Sequence, residues 1–115
     1  MITLQPNPDV ITVIHVYYVS PENQQAVSDG LIEAINQFGT QMAGHLSSSV
    51  HKSIDGGCVT SYSQWDKEGS KPLFSNKEVF DKTNASFAPY VQLAIRQEAH
   101  LYEVVSSYIP PHQSL

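Results

Sequence analysis

Among the side chains of this 115-residue chain able to do chemistry, His15 stands out because its neighbours are apolar: it lies inside Val10–Val19, a run of β-branched and aromatic residues. Burial in such a run favours a neutral imidazole, which accepts a proton near pH 7 and makes His15 the candidate general base. A buried histidine hydrogen-bonded to a neighbouring hydroxyl would leave the same trace in the sequence. Trp65, the lone tryptophan, closes the run Cys58–Trp65 where the chain leaves for a loop containing Gly69 and Pro72. An indole there can wall a pocket and orient a ring, or simply pack into a core or an interface. Tyr17, Ser61, Tyr62 and Phe80 complete the candidate substrate-binding set, although aromatics on half-buried strands also serve as packing. His15, His51 and His100 fall on three different predicted strands. Three imidazoles meeting on one sheet face can bind zinc or iron, but nothing in the spacing requires it, and no metal site is expected. Cys58 follows a turn with only Lys52 nearby as a cation, so it is read as an inert thiol.

These residues need elements to hold them. Val10–Val19 reads as a strand apolar on both faces, with His15 and Tyr17 on the same face as Ile11 and Val13. Ser20-Pro21-Glu22 reads as a helix start with Ser as N-cap. Val27, Leu31, Ile35 and Phe38 carry that helix at its own period, and Gly39 stops it. Gly30 inside it implies close packing against another segment. Leu46–Ile54 and Cys58–Trp65 flank Asp55-Gly56-Gly57, a hairpin signal because the turn needs positive φ. On the second of these strands Val59, Ser61, Ser63 and Trp65 point one way, and Cys58, Thr60, Tyr62 and Gln64 the other. Ser75 and Glu78 form a capping-box pattern opening a helix through Val79, Phe80, Thr83 and Phe87. Pro89 breaks it, Tyr90–Gln97 reads as a further helical stretch, and Glu98–Ile109 as a last strand.

The order β-α-β-β-α-β with right-handed crossovers predicts an α+β, ferredoxin-like domain: one antiparallel four-stranded sheet with both helices on one face. Helices cover only one face, while the first strand is apolar on both. A second copy of the chain, packed sheet to sheet, is the expected cover, so a homodimer follows from burial. A domain over residues 10–109 is expected, with an extended lead-in at 1–9 and a polar tail at 110–115.

Composition removes other classes. Leu, Ile, Val and Phe supply 30 residues, too many for a disordered chain. The net charge is −5 and Arg96 is the single arginine, which argues against nucleic acid and against anionic membrane. One cysteine excludes an internal disulfide, and the N-terminus lacks the basic flank and apolar core of a signal peptide. A cytoplasmic protein is expected.

Ser61-Tyr62-Ser63-Gln64-Trp65-Asp66 resembles the Asn-Tyr-x-x-Trp motif that the antibiotic biosynthesis monooxygenase family carries on its third strand. Ile11–Glu22 is similar to that family's first strand running into a Pro-started helix. Gly44-His45-Leu46 resembles its approach to the second strand, and Ser53-Ile54-Asp55-Gly56 its hairpin. The resemblance spans about Val10 to Tyr108 and implies a dimeric α+β barrel. It further implies a cofactor-independent monooxygenase, with neither flavin nor metal, that deprotonates an aromatic or quinone-like substrate so that molecular oxygen can take up an electron. In that scheme Trp65 walls and orients the ring, Ser61 stands where the family has asparagine, and His15 is the nearest polar substitute for a first-strand asparagine. The predicted second helix, Ser75–Ala88, holds no histidine, which speaks against the haem-degrading branch of the family. Two alternatives remain on the same scaffold: a non-catalytic dimer binding a small hydrophobic ligand, and an isomerase or lyase that consumes no oxygen.

Overall fold

The computed structural model describes residues 4–111; the first three residues of the expected lead-in and the last four of the expected tail lie outside the described residues. The chain runs β1 (Val10–Tyr18), a 3-10 turn at Pro21–Asn23, α1 (Gln24–Phe38), a 3-10 turn at Gly39–Gln41, β2 (His45–Lys52) and β3 (Cys58–Asp66). It continues through α2 (Lys71–Phe74), α3 (Lys77–Phe87), a 3-10 turn at Ala88–Tyr90 and β4 (Arg96–Tyr102). The four strands form one sheet in the order β2-β3-β1-β4, with every pairing antiparallel. This is the ferredoxin-like arrangement that the sequence implied.

Core packing joins α1 to one sheet face. Val27 and Leu31 of α1 meet Tyr17 and Val59 of the central strands, closed by Val19 and Val91. Gln24 ties the start of α1 to the β2–β3 hairpin, its side-chain amide donating to the carbonyls of Ser53 (2.8 Å) and Cys58 (3.0 Å). The hairpin turns at Gly56, whose φ of 84° lies in the left-handed region that glycine favours. Gly30 faces the 3-10 turn after α3: a Cβ there would sit 2.0 Å from the Tyr90 carbonyl oxygen, so only glycine lets the two segments touch.

Three expectations change. Ser75 is not the cap of the second long helix. Asn76 is, its side chain accepting from the backbone N–H groups of Glu78 and Val79, while Ser75 closes the short helix α2 that the sequence did not reveal. The stretch Tyr90–Gln97 is not helical beyond Tyr90, because Pro89 sits in a single 3-10 turn and the chain then enters β4 at Arg96. β4 ends at Tyr102, well short of Ile109. Gly39 does end α1, but in right-handed geometry, continuing into a 3-10 turn.

Candidate functional site

Antiparallel register turns the sheet into a grid. On the face beneath the helices, Ser48, Ser63, Val13 and Leu101 form one row, and Val50, Ser61, His15 and Ala99 the next. Trp65 lies opposite both Ile11 and His45 in the row beyond. Serines and a histidine at the centre of an otherwise apolar sheet face do not fit a dry core. They form the floor of a cavity of about 710 Å³, within the usual size of small-molecule sites. Its walls come from Leu31 and Ile35 of α1, Met42, and Leu73, Phe74, Phe80 and Phe87 around α2 and α3. The space exists because α3 stands away from the sheet: none of its residues is buried. Phe80 and Phe87 line the space rather than fill it.

At one end of the floor, Trp65 is 6% exposed and locked in place. Its indole N–H donates to Ser63 Oγ at 2.9 Å, Phe74 meets the ring edge-on at a centroid distance of 5.2 Å, and the His45 ring lies 4.7 Å away on another side. Such bracing fixes the plane that a flat ligand would meet. Further along, His15 stacks on Tyr17 with ring centroids 4.2 Å apart. Its Nε2 donates to Gln97 Oε1 (2.8 Å) and its Nδ1 faces the Tyr17 hydroxyl (3.4 Å). Burial pulls the His15 pKa down, against a smaller opposing effect of the Gln97 hydrogen bond, so the ring is neutral near pH 7. Burial also pushes the Tyr17 phenol up to about 12, so it remains a donor at physiological pH.

Of the residues singled out by sequence, the fold brings His15, Tyr17, Ser61, Trp65 and Phe80 to this one cavity. Tyr62 is a correction: it pairs with Ile14, on the opposite face of the sheet, because neighbours along a strand alternate and Ser61 already faces the cavity. The three strand histidines do not meet. His51 pairs with Thr60 and His100 with Ile14 on the far face, while His15 faces the cavity. Among the described residues no cluster of three His, Cys, Asp or Glu is placed to hold a metal. The sequence reading missed Ser48 and Gln97, both on the cavity lining. Gln97 was hidden by the expectation of helix up to that residue. Ser48 was hidden by a bulge. Between His45 and Ser47 the β2–β3 register shifts by one residue, so His45 and Ser48, three apart, share a face. Strict alternation would have separated them.

No protein-family profile matches the chain. Over 68 residues it is 37% identical to the tetracenomycin-F1 monooxygenase of Streptomyces glaucescens, a match covering 59% of this chain. The chain spans about three fifths (61%) of the length of that curated relative. Among solved structures it is similar to a monooxygenase from the gene ActVA-Orf6 of Streptomyces coelicolor in complex with nanaomycin D. The TM-score is 0.68 and the identity 19%, with 90% of this chain and 96% of that chain covered. A putative antibiotic biosynthesis monooxygenase from Bordetella bronchiseptica matches with a TM-score of 0.67 and 17% identity over 85% of this chain and 99% of the other. SnoaB, a cofactor-independent oxygenase from Streptomyces nogalater, matches with a TM-score of 0.53 and 14% identity over 86% and 96%. The resemblance drawn from Trp65 and its strand therefore holds: the chain has the fold of the antibiotic biosynthesis monooxygenase proteins and shares a stretch of sequence with a curated monooxygenase.

Proposed function

We propose that the chain is a cofactor-independent monooxygenase acting on a hydroxylated polycyclic aromatic or quinone-like molecule held between α3 and the sheet. The observation that carries this is the cavity itself: apolar walls, a serine and histidine floor, and an indole braced on several sides at one end. The substrate is its own reductant. Loss of the phenolic proton makes the ring electron-rich enough to pass an electron to molecular oxygen. A ring carbon gains one oxygen atom and the other leaves as water, so the chemistry calls for neither flavin nor metal. Trp65 stacks on and orients the ring, with Phe80 closing the opposite wall. His15, supported by Tyr17 and Ser61, hydrogen-bonds the substrate oxygen or takes its proton. The apolar walls exclude water that would quench a carbanion or a reduced oxygen species.

Two further assignments belong to the same proposal. A second copy of the chain covers the sheet face that no helix of this chain covers. The half-buried thiol Cys58, with no partner cysteine, fits the reducing cytoplasm, and among the described residues no helix is long and apolar enough to cross a membrane.

Oxygen uptake with a hydroxyanthrone substrate tests the reaction. The wild-type protein should consume oxygen well above the buffer rate, and Trp65→Ala should lose about tenfold or more by releasing the ring from its reactive orientation. Wild-type uptake at the buffer rate would overturn the oxygenase assignment. Saturable binding without uptake would favour a binding protein, and substrate turnover without uptake an isomerase or lyase.

A further inference from the structure

One side chain on the cavity floor, and the imidazole behind it, have no role in that scheme. Ser48 of β2 lines the floor, and its hydroxyl lies 2.6 Å from His45 Nε2. The other ring nitrogen, Nδ1, lies 3.1 Å from the Gly39 carbonyl oxygen. A carbonyl only accepts, so Nδ1 carries the hydrogen and Nε2 presents its lone pair; the Ser48 hydroxyl must donate to it. This is the arrangement of an activated hydroxyl: a base within hydrogen-bond reach, itself oriented by a third group. It exists because of the bulge that turns His45 and Ser48 to the same face, and bulges re-aim side chains at functional sites.

We infer that Ser48, backed by His45, is the group that takes the hydroxyl proton of the aromatic substrate. The inference rests on the aromatic-ligand reading above and assigns its proton acceptor. The substrate O–H bond breaks as its proton passes to Ser48 Oγ, while the proton of Ser48 passes to His45 Nε2. The products are a phenolate in the cavity and an imidazolium behind it, and no electrons change hands. The imidazolium is met by favourable partners on two sides: Nδ1–H already points at the Gly39 carbonyl, and the indole of Trp65 offers its π system. The rival acceptor is worse placed. His15 has one nitrogen donating to Gln97 and the other facing the Tyr17 hydroxyl, and burial opposes its protonation. It also sits two strands from Ser48, about 10 Å across the sheet, so the two act at different points of a ligand. The groups that hydrogen-bond or stack on the His45 ring among the described residues, Gly39, Ser48 and Trp65, carry no charge. The carboxylates on the cavity lining, Asp81 and Glu98, are occupied by Lys77 and by Arg96 and His100.

The test is the ionisation of 4-nitrophenol bound to the protein under nitrogen, read from the visible absorbance of its anion, which needs no oxygen chemistry. In the wild type, the anion-to-phenol ratio of the bound probe should exceed that in buffer at the same pH by about tenfold, one pKa unit. Ser48→Ala and His45→Phe should bring the ratio to within about twofold of buffer, and Ser48→Thr, which keeps the hydroxyl, should restore it. Circular dichroism confirms that each variant is folded, and Ser48→Ala against Ser48→Thr carries the comparison if His45→Phe is not. A wild-type ratio equal to that of buffer overturns the inference. So does a wild-type ratio in Ser48→Ala, above all if His15→Asn abolishes it, since His15 would then be the acceptor. A raised ratio in wild type, lost in Ser48→Ala but unaccompanied by oxygen uptake with hydroxyanthrone, sinks the oxygenase reading and leaves this one standing.

Discussion

His15 is held in the folded protein with its pKa below the ordinary imidazole value because burial penalises the charged ring. That has a consequence for stability. Above the unfolded-state pKa of about 6.5 the ring is neutral in both states and contributes nothing unfavourable. As pH falls through 6.5 the unfolded chain protonates first, binds more protons than the folded one, and gains relative to it. The loss continues until pH passes below the lowered folded-state value. The thermal midpoint should therefore decline between pH 7.5 and pH 5, and His15→Gln should decline less over the same window. Parallel slopes for the two proteins would show that His15 is not the group responsible. That His15 and Tyr17 share one face of β1, and Ser61 and Trp65 one face of β3, was legible, because β-strand alternation is strict along both; that the two faces are the same side of the sheet came only with the register between the strands. The same rule, applied consistently, rejects Tyr62. Ser48 was not legible: its orientation depends on one inserted residue in β2, and no residue type in His45–Ser48 announces a bulge.

At the scale of elements, α3 roofs the cavity with none of its residues buried, and it packs against its neighbours in sequence, α2 and the 3-10 turn at Ala88–Tyr90. Asn76 caps α3, with its side-chain oxygen 3.0 Å from the Glu78 N–H and 3.3 Å from that of Val79. Asn76→Ala should lower stability by about 1 kcal/mol in urea unfolding, as loss of an N-cap does, whereas Ser75→Ala should cost less. The reverse order would mean that the capping box suggested by Ser75 and Glu78 is the true cap after all. The sequence showed a helix start here and missed its register by one residue, since Ser75 and Asn76 are both good caps and only the entry from α2 decides between them. Gly30 was more informative. A glycine inside α1 signalled a close approach, and the Tyr90 carbonyl is what approaches. Gly30→Ala should destabilise by more than the ~1 kcal/mol range of helix propensity and in the opposite direction, because Ala is intrinsically the better helix former. A stabilised Gly30→Ala protein would place the turn after α3 farther from α1.

For the whole molecule, one sheet face is covered by α1 and roofed by α3, while the other carries Ile14, Val16 and Tyr18 of β1 beside Thr60 and Tyr62 of β3 with no helix above them. Strands of seven to nine residues, rising about 3.3 Å per residue and spaced about 4.8 Å apart, give this face roughly 500 Å² in projection. Side-chain relief brings that towards the about 800 Å² that each partner buries in an ordinary stable interface. Two copies related by a two-fold axis would thus supply each other's missing layer, as the apolar pattern of Val10–Val19 already required from sequence. β4, exposed along its whole length, should lose exposure at the same step. Sedimentation across the micromolar range should therefore find a two-subunit particle. Tyr62→Glu, which puts a charge at the middle of the face without touching the cavity, should shift it towards single subunits, because an unpaired charge buried between two sheets costs several kcal/mol. A wild-type protein sedimenting as one subunit, or a Tyr62→Glu protein as fully paired as wild type, would mean that this face is not where the copies meet.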